Sequence, residues 1–260
     1  MKEGIVEARP KPKRSRAKKI LLALVIVLVA VAVGLAIAYQ NLTYEPLPEA
    51  KAAMQSDNRV TVQSVKGGLL FEPATGDVLQ PNVIFYPGGF VKPESYAPFA
   101  RGIAETGHRV FIARMPFELA FFGQNKADAF LKQYPEDGFV IGGHSLGGVF
   151  ASRYAAKHLD SISGVYFMAS YADDGGSLSG MNLSALQMTA TKDAILQQDK
   201  WEAAKTNLPA DTTYVSIEGG NHGQFGTYGK QKGDNDPSIT AEQQREEVIQ
   251  AMTAWLKGIQ

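Results

Sequence analysis

The sequence predicts an α/β fold: a mostly parallel sheet of about eight strands with helices on both faces, preceded by one membrane-spanning helix. Three observations carry this expectation. From about residue 58 onward, short runs rich in Val, Ile and Phe alternate with helical segments, the pattern of parallel strands covered by crossover helices. One uncharged stretch, Ile20–Tyr39, has the roughly 20 residues needed to cross a bilayer. A composition of 45% hydrophobic and 20% charged residues over 260 positions supplies a full core.

Charge divides the chain. Residues 1–19 hold eight Lys/Arg against Glu3 and Glu7, a net +6, and the part after Tyr39 is net −6. The folded part therefore has no basic excess, which argues against a nucleic-acid partner. The basic tail lies directly before the apolar stretch, so the positive-inside rule keeps the N-terminus cytoplasmic and sends the rest outward. A cleaved signal peptide is the rival reading, with Ala36–Ala38 as an A-x-A site, but signal cores span about 7–15 residues and this run is longer. The expected organisation is a basic tail (1–19), an anchor in the cell membrane (20–39), a linker (40–57) and an extracytoplasmic domain (58–260). With no cysteine, disulfides, thiol catalysis and cysteine-bound metals are excluded.

Within the domain, Arg59–Val65 and Leu69–Pro73 around a Lys-Gly-Gly turn predict an antiparallel hairpin. Asn82–Pro87 predicts a strand, Glu94–Gly107 a helix ended by its glycine, Arg109–Pro116 a strand and Gln124–Pro135 a helix. Gly138–Gly143 predicts a strand and Leu146–Leu159 a helix. Ile162–Ser170, Ser184–Thr191 and Thr212–Gly219 predict three more strands. The last helix, over residues 239–259, puts Ile239, Val248, Met252 and Leu256 on one face. Only about 14 residues, Tyr171–Ser184, join two of these strands, which leaves little room for a cap or a full crossover helix.

Gly143-His144-Ser145-Leu146-Gly147 is a G-x-S-x-G motif between a β-branched run and a helix, the setting of a nucleophile elbow. A turn that sharp strains the serine and brings the residues two before and two after it together, so a Cβ at Gly143 or Gly147 would clash. The hydroxyl would stand at a helix N-terminus, where the dipole and the Leu146 N–H favour negative charge. A serine nucleophile needs a base. His144 is expected to point away from the hydroxyl, His108 opens a strand at the far edge of the sheet, and His158 lies roughly 20 Å along the helix. His222, in the loop after Thr212–Gly219, falls at the edge where parallel sheets bind ligands. An acid is expected after a strand between serine and histidine. Asp193 fits best, with Asp173 and Asp174 as alternatives. A second oxyanion donor is expected from the Tyr86–Phe90 turn, at Phe90 or Gly89. Phe90, Phe117, Phe121, Phe122 and Phe225 are candidate pocket walls.

With "FYPGGF", "GGHSLGG", "TKD" and "GGNHGQFG" in that order, residues 58–260 resemble the α/β-hydrolase superfamily, and within it small bacterial membrane-anchored hydrolases of the dienelactone-hydrolase-like branch. The resemblance implies an α/β-hydrolase fold with a minimal cap, Ser145 as nucleophile, Asp193 as acid, His222 as base, and the N–H groups of Leu146 and Phe90 as oxyanion hole. The family's frequent His-Gly before the oxyanion residue is Gly88-Gly89 here. The expected activity is serine hydrolysis through an acyl-enzyme, most simply of carboxylic esters with small or exposed acyl groups, with no cofactor or metal. An acyltransferase on the same residues and a catalytically silent binding module are the alternatives.

Overall fold

The structure is a computed structural model that describes residues 16–259, with side chains from Lys18 onward. The first 15 residues of the expected basic tail lie outside the described residues. The described residues form two units, one ending at Leu42 and the other beginning at Thr43.

The first unit holds helix α1, Arg16–Leu42. At 1.5 Å per residue its 27 residues span about 40 Å, more than the roughly 30 Å of bilayer hydrocarbon. Apolar side chains cover it all round, with Leu22, Leu28 and Leu35 each more than 60% exposed. A helix apolar on every side is stable only when surrounded by protein or lipid.

The second unit is built on one eight-stranded sheet in the order β1-β2-β4-β3-β5-β6-β7-β8. The strands are β1 Val60–Val65, β2 Gly68–Pro73, β3 Leu79–Tyr86, β4 His108–Ala113, β5 Phe139–His144, β6 Ile162–Met168, β7 Ser184–Ala190 and β8 Thr213–Ile217. β1–β2 and β2–β4 pair antiparallel, and every other pair is parallel. The predicted hairpin and the parallel body are both present. The chain reverses direction across the sheet at β3, which lies between β4 and β5. Loops leaving the C-terminal ends of strands at such a reversal form the usual ligand crevice.

The sheet is buried on both faces because its strands are apolar at successive positions. Val83 and Phe85 of β3 and Val140 of β5 join one core, together with Phe99 and Ile103 of α3 (Ala97–Glu105) and Val248, Met252 and Leu256 of α7 (Ala241–Leu256). Ile84, Tyr86, Phe139 and Ile141 join the other, with Phe130 of α4 (Asp128–Gln133) and Phe150 and Tyr154 of α5 (Leu146–Ala155). The predicted face of the last helix is the one that packs, and Ile239 packs beside it just before the helix begins. A capping box fixes that start: Gln243 N–H donates to Thr240 Oγ1 and Thr240 N–H to Gln243 Oε1.

Some boundaries differ from expectation for identifiable reasons. α4 is half the predicted length because the Tyr86 hydroxyl donates to Gln124 O and accepts from Ala127 N–H, holding the preceding backbone in turns. α6, Gln198–Ala204, is an addition to the predicted elements. The β6–β7 connection holds only a 3-10 turn, Asp174–Gly176, in keeping with the expected lack of a cap. Residues 43–57, expected as a linker, belong to the folded unit. Tyr44 N–H donates to Phe90 O, Lys92 N–H to Tyr44 O and Leu47 N–H to Thr227 O. α2 (Pro48–Ala52) follows, and its Ala50 is fully buried.

Candidate active site

Ser145 follows β5 directly and precedes the first residue of α5, with φ 50° and ψ −124°. A non-glycine residue at positive φ is strained, and the surroundings hold it there. Ser145 N–H donates to Met168 O at 2.9 Å, and Ser170 Oγ donates to Ser145 O at 2.6 Å. The flanking glycines are required by close approach. A Cβ on Gly143 or on Gly147 would fall on the Tyr86 carbonyl oxygen, and one on Gly148 would meet Ser170 Oγ. Gly143 and Gly147 face each other as the elbow predicts: a Cβ on Gly143 would lie 2.9 Å from Gly147 C.

His222 sits in the loop after β8, and Asp193 in the loop after β7. His222 Nδ1 donates to Asp193 Oδ2 at 2.8 Å, and the two side chains are 1% and 3% exposed. The other carboxylate oxygen, Oδ1, accepts from Ile195 N–H and Leu196 N–H, both at 2.8 Å. The carboxylate is thus fixed from both sides, and it orients the imidazole so that Nε2 points elsewhere. Nε2 is buried and has no hydrogen-bond partner among the described residues. Ser145 and His222 line one cavity of about 240 Å³ with Leu146, Val149, Ile195 and Leu196. Ala169 adds to the aliphatic side of the wall, and Ser170, Tyr171 and Gln197 make the rest of it polar.

The alternative acids are engaged elsewhere. Asp173 is paired with Arg153, and Asp174 accepts from Asn207 Nδ2 at 3.1 Å. His108 is at the start of β4, its Nδ1 against Pro81 O, and burial lowers its pKa. His158 lies just past α5, its Nδ1 2.8 Å from Tyr154 O.

The backbone donors near the elbow sort themselves by what they already bind. Phe90 N–H is taken by Glu118 O at 2.8 Å, and Gly88 N–H by the Tyr96 hydroxyl at 3.0 Å. The expectation that Phe90 leads therefore gives way to Gly89, whose N–H has no acceptor among the described residues. Gly89 also faces the elbow: a Cβ there would lie 3.4 Å from Leu146 Cδ2. Leu146 is the first residue of α5, and N–H groups in a first helical turn lack an intrahelical acceptor.

Three contributors escaped the sequence reading. The His144 ring packs on His222 with centroids 4.5 Å apart, and its Nδ1 meets the Tyr96 hydroxyl at 2.9 Å. Burial, then the neighbouring His222, holds its pKa well below the ordinary histidine value. Tyr96 thereby links the Gly88 turn to the elbow. Asp234, mostly buried, accepts from Ala194 N–H at 3.1 Å and Gly223 N–H at 2.9 Å, tying the Asp193 loop to the His222 loop. No composition or spacing signal marks these residues, because each contact joins segments distant in sequence. Of the candidate wall residues, Phe225 is buried against His144, with centroids 5.8 Å apart. Phe117, Phe121 and Phe122 are exposed on the surface, and none of the five lines the Ser145 cavity. Among the described residues, no group of three His, Cys, Asp or Glu is placed to hold a metal ion.

Comparison with known proteins agrees with this architecture. A comparison with curated protein sequences finds no match. Among solved structures, a predicted CIB-like hydrolase from Thermoplasma acidophilum superposes with TM-score 0.56 at 13% identity, covering 75% of this chain and 99% of its own. Est1E from Butyrivibrio proteoclasticus gives 0.55 at 15% identity, covering 76% and 99%. Est1E with ferulic acid bound gives 0.57 at 14%, covering 78% and 98%. At these identities the likeness is one of fold. Residues 82–246 match the alpha/beta hydrolase family, a span that runs from β3 through the elbow and both loops into α7, and the chain belongs to that family.

Proposed function

We propose that this protein is a membrane-anchored serine hydrolase acting on carboxylic esters, with Ser145 as nucleophile, His222 as general base and Asp193 as its orienting acid. The observation that carries the reading is the His222–Asp193 pair at 2.8 Å, which leaves the buried Nε2 without a partner among the described residues, in a histidine that lines the same cavity as Ser145, itself held at positive φ. His222 Nε2 takes the Ser145 proton as Oγ adds to the ester carbonyl. The N–H groups of Leu146 and Gly89 receive the developing oxyanion, with Phe90 excluded by its bond to Glu118. Collapse expels the alcohol, which takes the proton from His222. Water, deprotonated by the same histidine, then releases the carboxylic acid and restores the serine. The anchor is α1, and the basic residues before it place the N-terminus in the cytoplasm and the domain outside.

A fluorophosphonate probe and a series of p-nitrophenyl esters test the reading on wild type and Ser145→Ala. Labelling and turnover confined to wild type, with kcat reduced at least ~10³-fold in the variant, is the expected result. A folded wild type that takes no label would return the chain to the binding-module alternative.

A further inference from the structure

Phe117, Phe121 and Phe122 are 66%, 57% and 54% exposed. Phe122 meets the other two edge to face, with centroids 5.1 Å apart for Phe121–Phe122 and 5.6 Å for Phe117–Phe122. Three contiguous aromatic rings in water mark an interaction surface rather than scattered apolar exposure. The backbone presents them: Phe117 and Glu118 lie at φ 56° and 53°, a region bulky residues rarely adopt. The same segment borders the elbow. Glu118 O accepts the Phe90 N–H, and Leu119 Cδ2 would lie 3.8 Å from a Cβ on Gly89.

Two further features say what covers the patch. Lys126 and Lys157 line an open groove with Phe121 and Phe122, and neither lysine forms an ion pair among the described residues. Aromatic rings flanked by cations are the composition that seats a surface in anionic headgroups. The chain also carries its own anchor. Only Thr43 separates Leu42, the last residue of α1, from Tyr44, whose N–H donates to Phe90 O at 2.7 Å. Two residues of extended chain span at most about 7 Å, a covalent limit that holds for any orientation.

We propose that the Phe117–Phe121–Phe122 patch docks on a bilayer with anionic headgroups, and that the substrates are acyl esters resident in that bilayer. The substrate half rests on the serine-hydrolase reading above; the docking half does not. A minimal cap fits it, since no lid has to open before a lipid ester reaches the cavity.

The test uses the full chain reconstituted in vesicles with and without phosphatidylglycerol. Phe121→Trp reports docking through quenching by brominated acyl chains, with wild type as background for Trp201 and Trp255. Added quenching that grows with phosphatidylglycerol and falls in Lys126→Glu/Lys157→Glu is expected; an unquenched Trp at position 121 overturns the docking. Turnover is then read on two substrates, a water-soluble short-chain ester and a diacyl glycerol ester in the vesicle. Phe117→Ser/Phe121→Ser/Phe122→Ser is expected to lose at least ~10-fold on the vesicle ester and to keep the soluble one. Equal activity on both, or equal loss on both, overturns the proposal. If the triple variant instead dissociates a dimer in detergent and the Trp at 121 stays unquenched, the patch is a self-association face and the bilayer reading fails. Wild type inactive on both esters while the Trp at 121 is quenched would overturn the substrate half and the hydrolase reading, leaving the docking supported.

Discussion

The Tyr96 hydroxyl accepts the Gly88 N–H and so has its own proton to give to His144 Nδ1. That bond requires a neutral His144, and burial against His222 enforces the same state by lowering the His144 pKa. The consequence for stability has a definite sign. Above pH 6.5, the ordinary value, both the folded and unfolded histidine are neutral and nothing is lost. Below it the unfolded chain takes up a proton that the folded chain refuses, so stability falls as pH drops from 6.5 toward the lowered folded value. His108, also lowered by burial, contributes in the same direction. Denaturant unfolding of wild type and His144→Gln between pH 7.5 and 5 is therefore expected to differ in slope. Wild type loses up to about 1.4 kcal/mol more per pH unit below 6.5, and parallel curves would show that His144 titrates normally. The placement of Ser145, Asp193 and His222 just after β5, β7 and β8 was legible in the sequence because the apolar runs before them mark those strands. The contact of Tyr96 was not, since its partner is 48 residues away and nothing local marks a tyrosine for it.

Loops, rather than strands, decide whether His222 faces the cavity. The Asp193 and His222 loops are sewn together by Lys192 N–H to Gly220 O, Gly219 N–H to Thr191 Oγ1, and the two bonds to Asp234. Asp234→Ala leaves the Ala194 and Gly223 N–H groups without an acceptor, each costing about 1–3 kcal/mol if it stays dry. The expected outcome is a fall of roughly tenfold or more in kcat with little change in KM, partly restored in Asp234→Asn, which keeps one acceptor oxygen. Unchanged kcat in a variant that unfolds at lower denaturant would make Asp234 purely structural. Elements were legible in proportion to their apolar periodicity. α7 repeats Val248, Met252 and Leu256 and was found by its pattern, whereas α6 buries only Ala204 and leaves no stripe to detect. The periodic pattern overestimates α4 because it cannot show that a tyrosine on β3 captures the backbone before it.

At the scale of the whole molecule, the boundary of the folded domain is the feature least visible in the sequence. Residues 40–57 are polar and contain two prolines and no strong period, so they read as a linker. Their fixation comes from partners far along the chain. Tyr44 bonds across to Phe90 and Lys92, and Leu47 to Thr227, while Arg101 Nη1 donates to Asp57 Oδ2 at 3.0 Å. Arg101 Nε donates to Ala53 O at 3.1 Å, and Tyr44 packs on Tyr228 with centroids 5.1 Å apart. Ala50 is fully buried, and Tyr44, Ala53 and Met54 pack on the core that α3 and α7 complete. A fragment beginning at residue 58 therefore loses twelve hydrogen bonds that cross into the domain, at roughly 1 kcal/mol or less each for those exposed to water, and uncovers part of that core. A fragment beginning at residue 43 keeps all of them and loses only α1. With domain stabilities of about 5–15 kcal/mol, the shorter fragment is expected to be marginal or insoluble, and the longer one to unfold cooperatively. Urea unfolding of the two, side by side, measures the difference. Midpoints that coincide would mean residues 43–57 are a tether after all. A large gap would mean that the segment after α1 is the first structural element of the hydrolase domain, joined directly to the turn that carries Gly89.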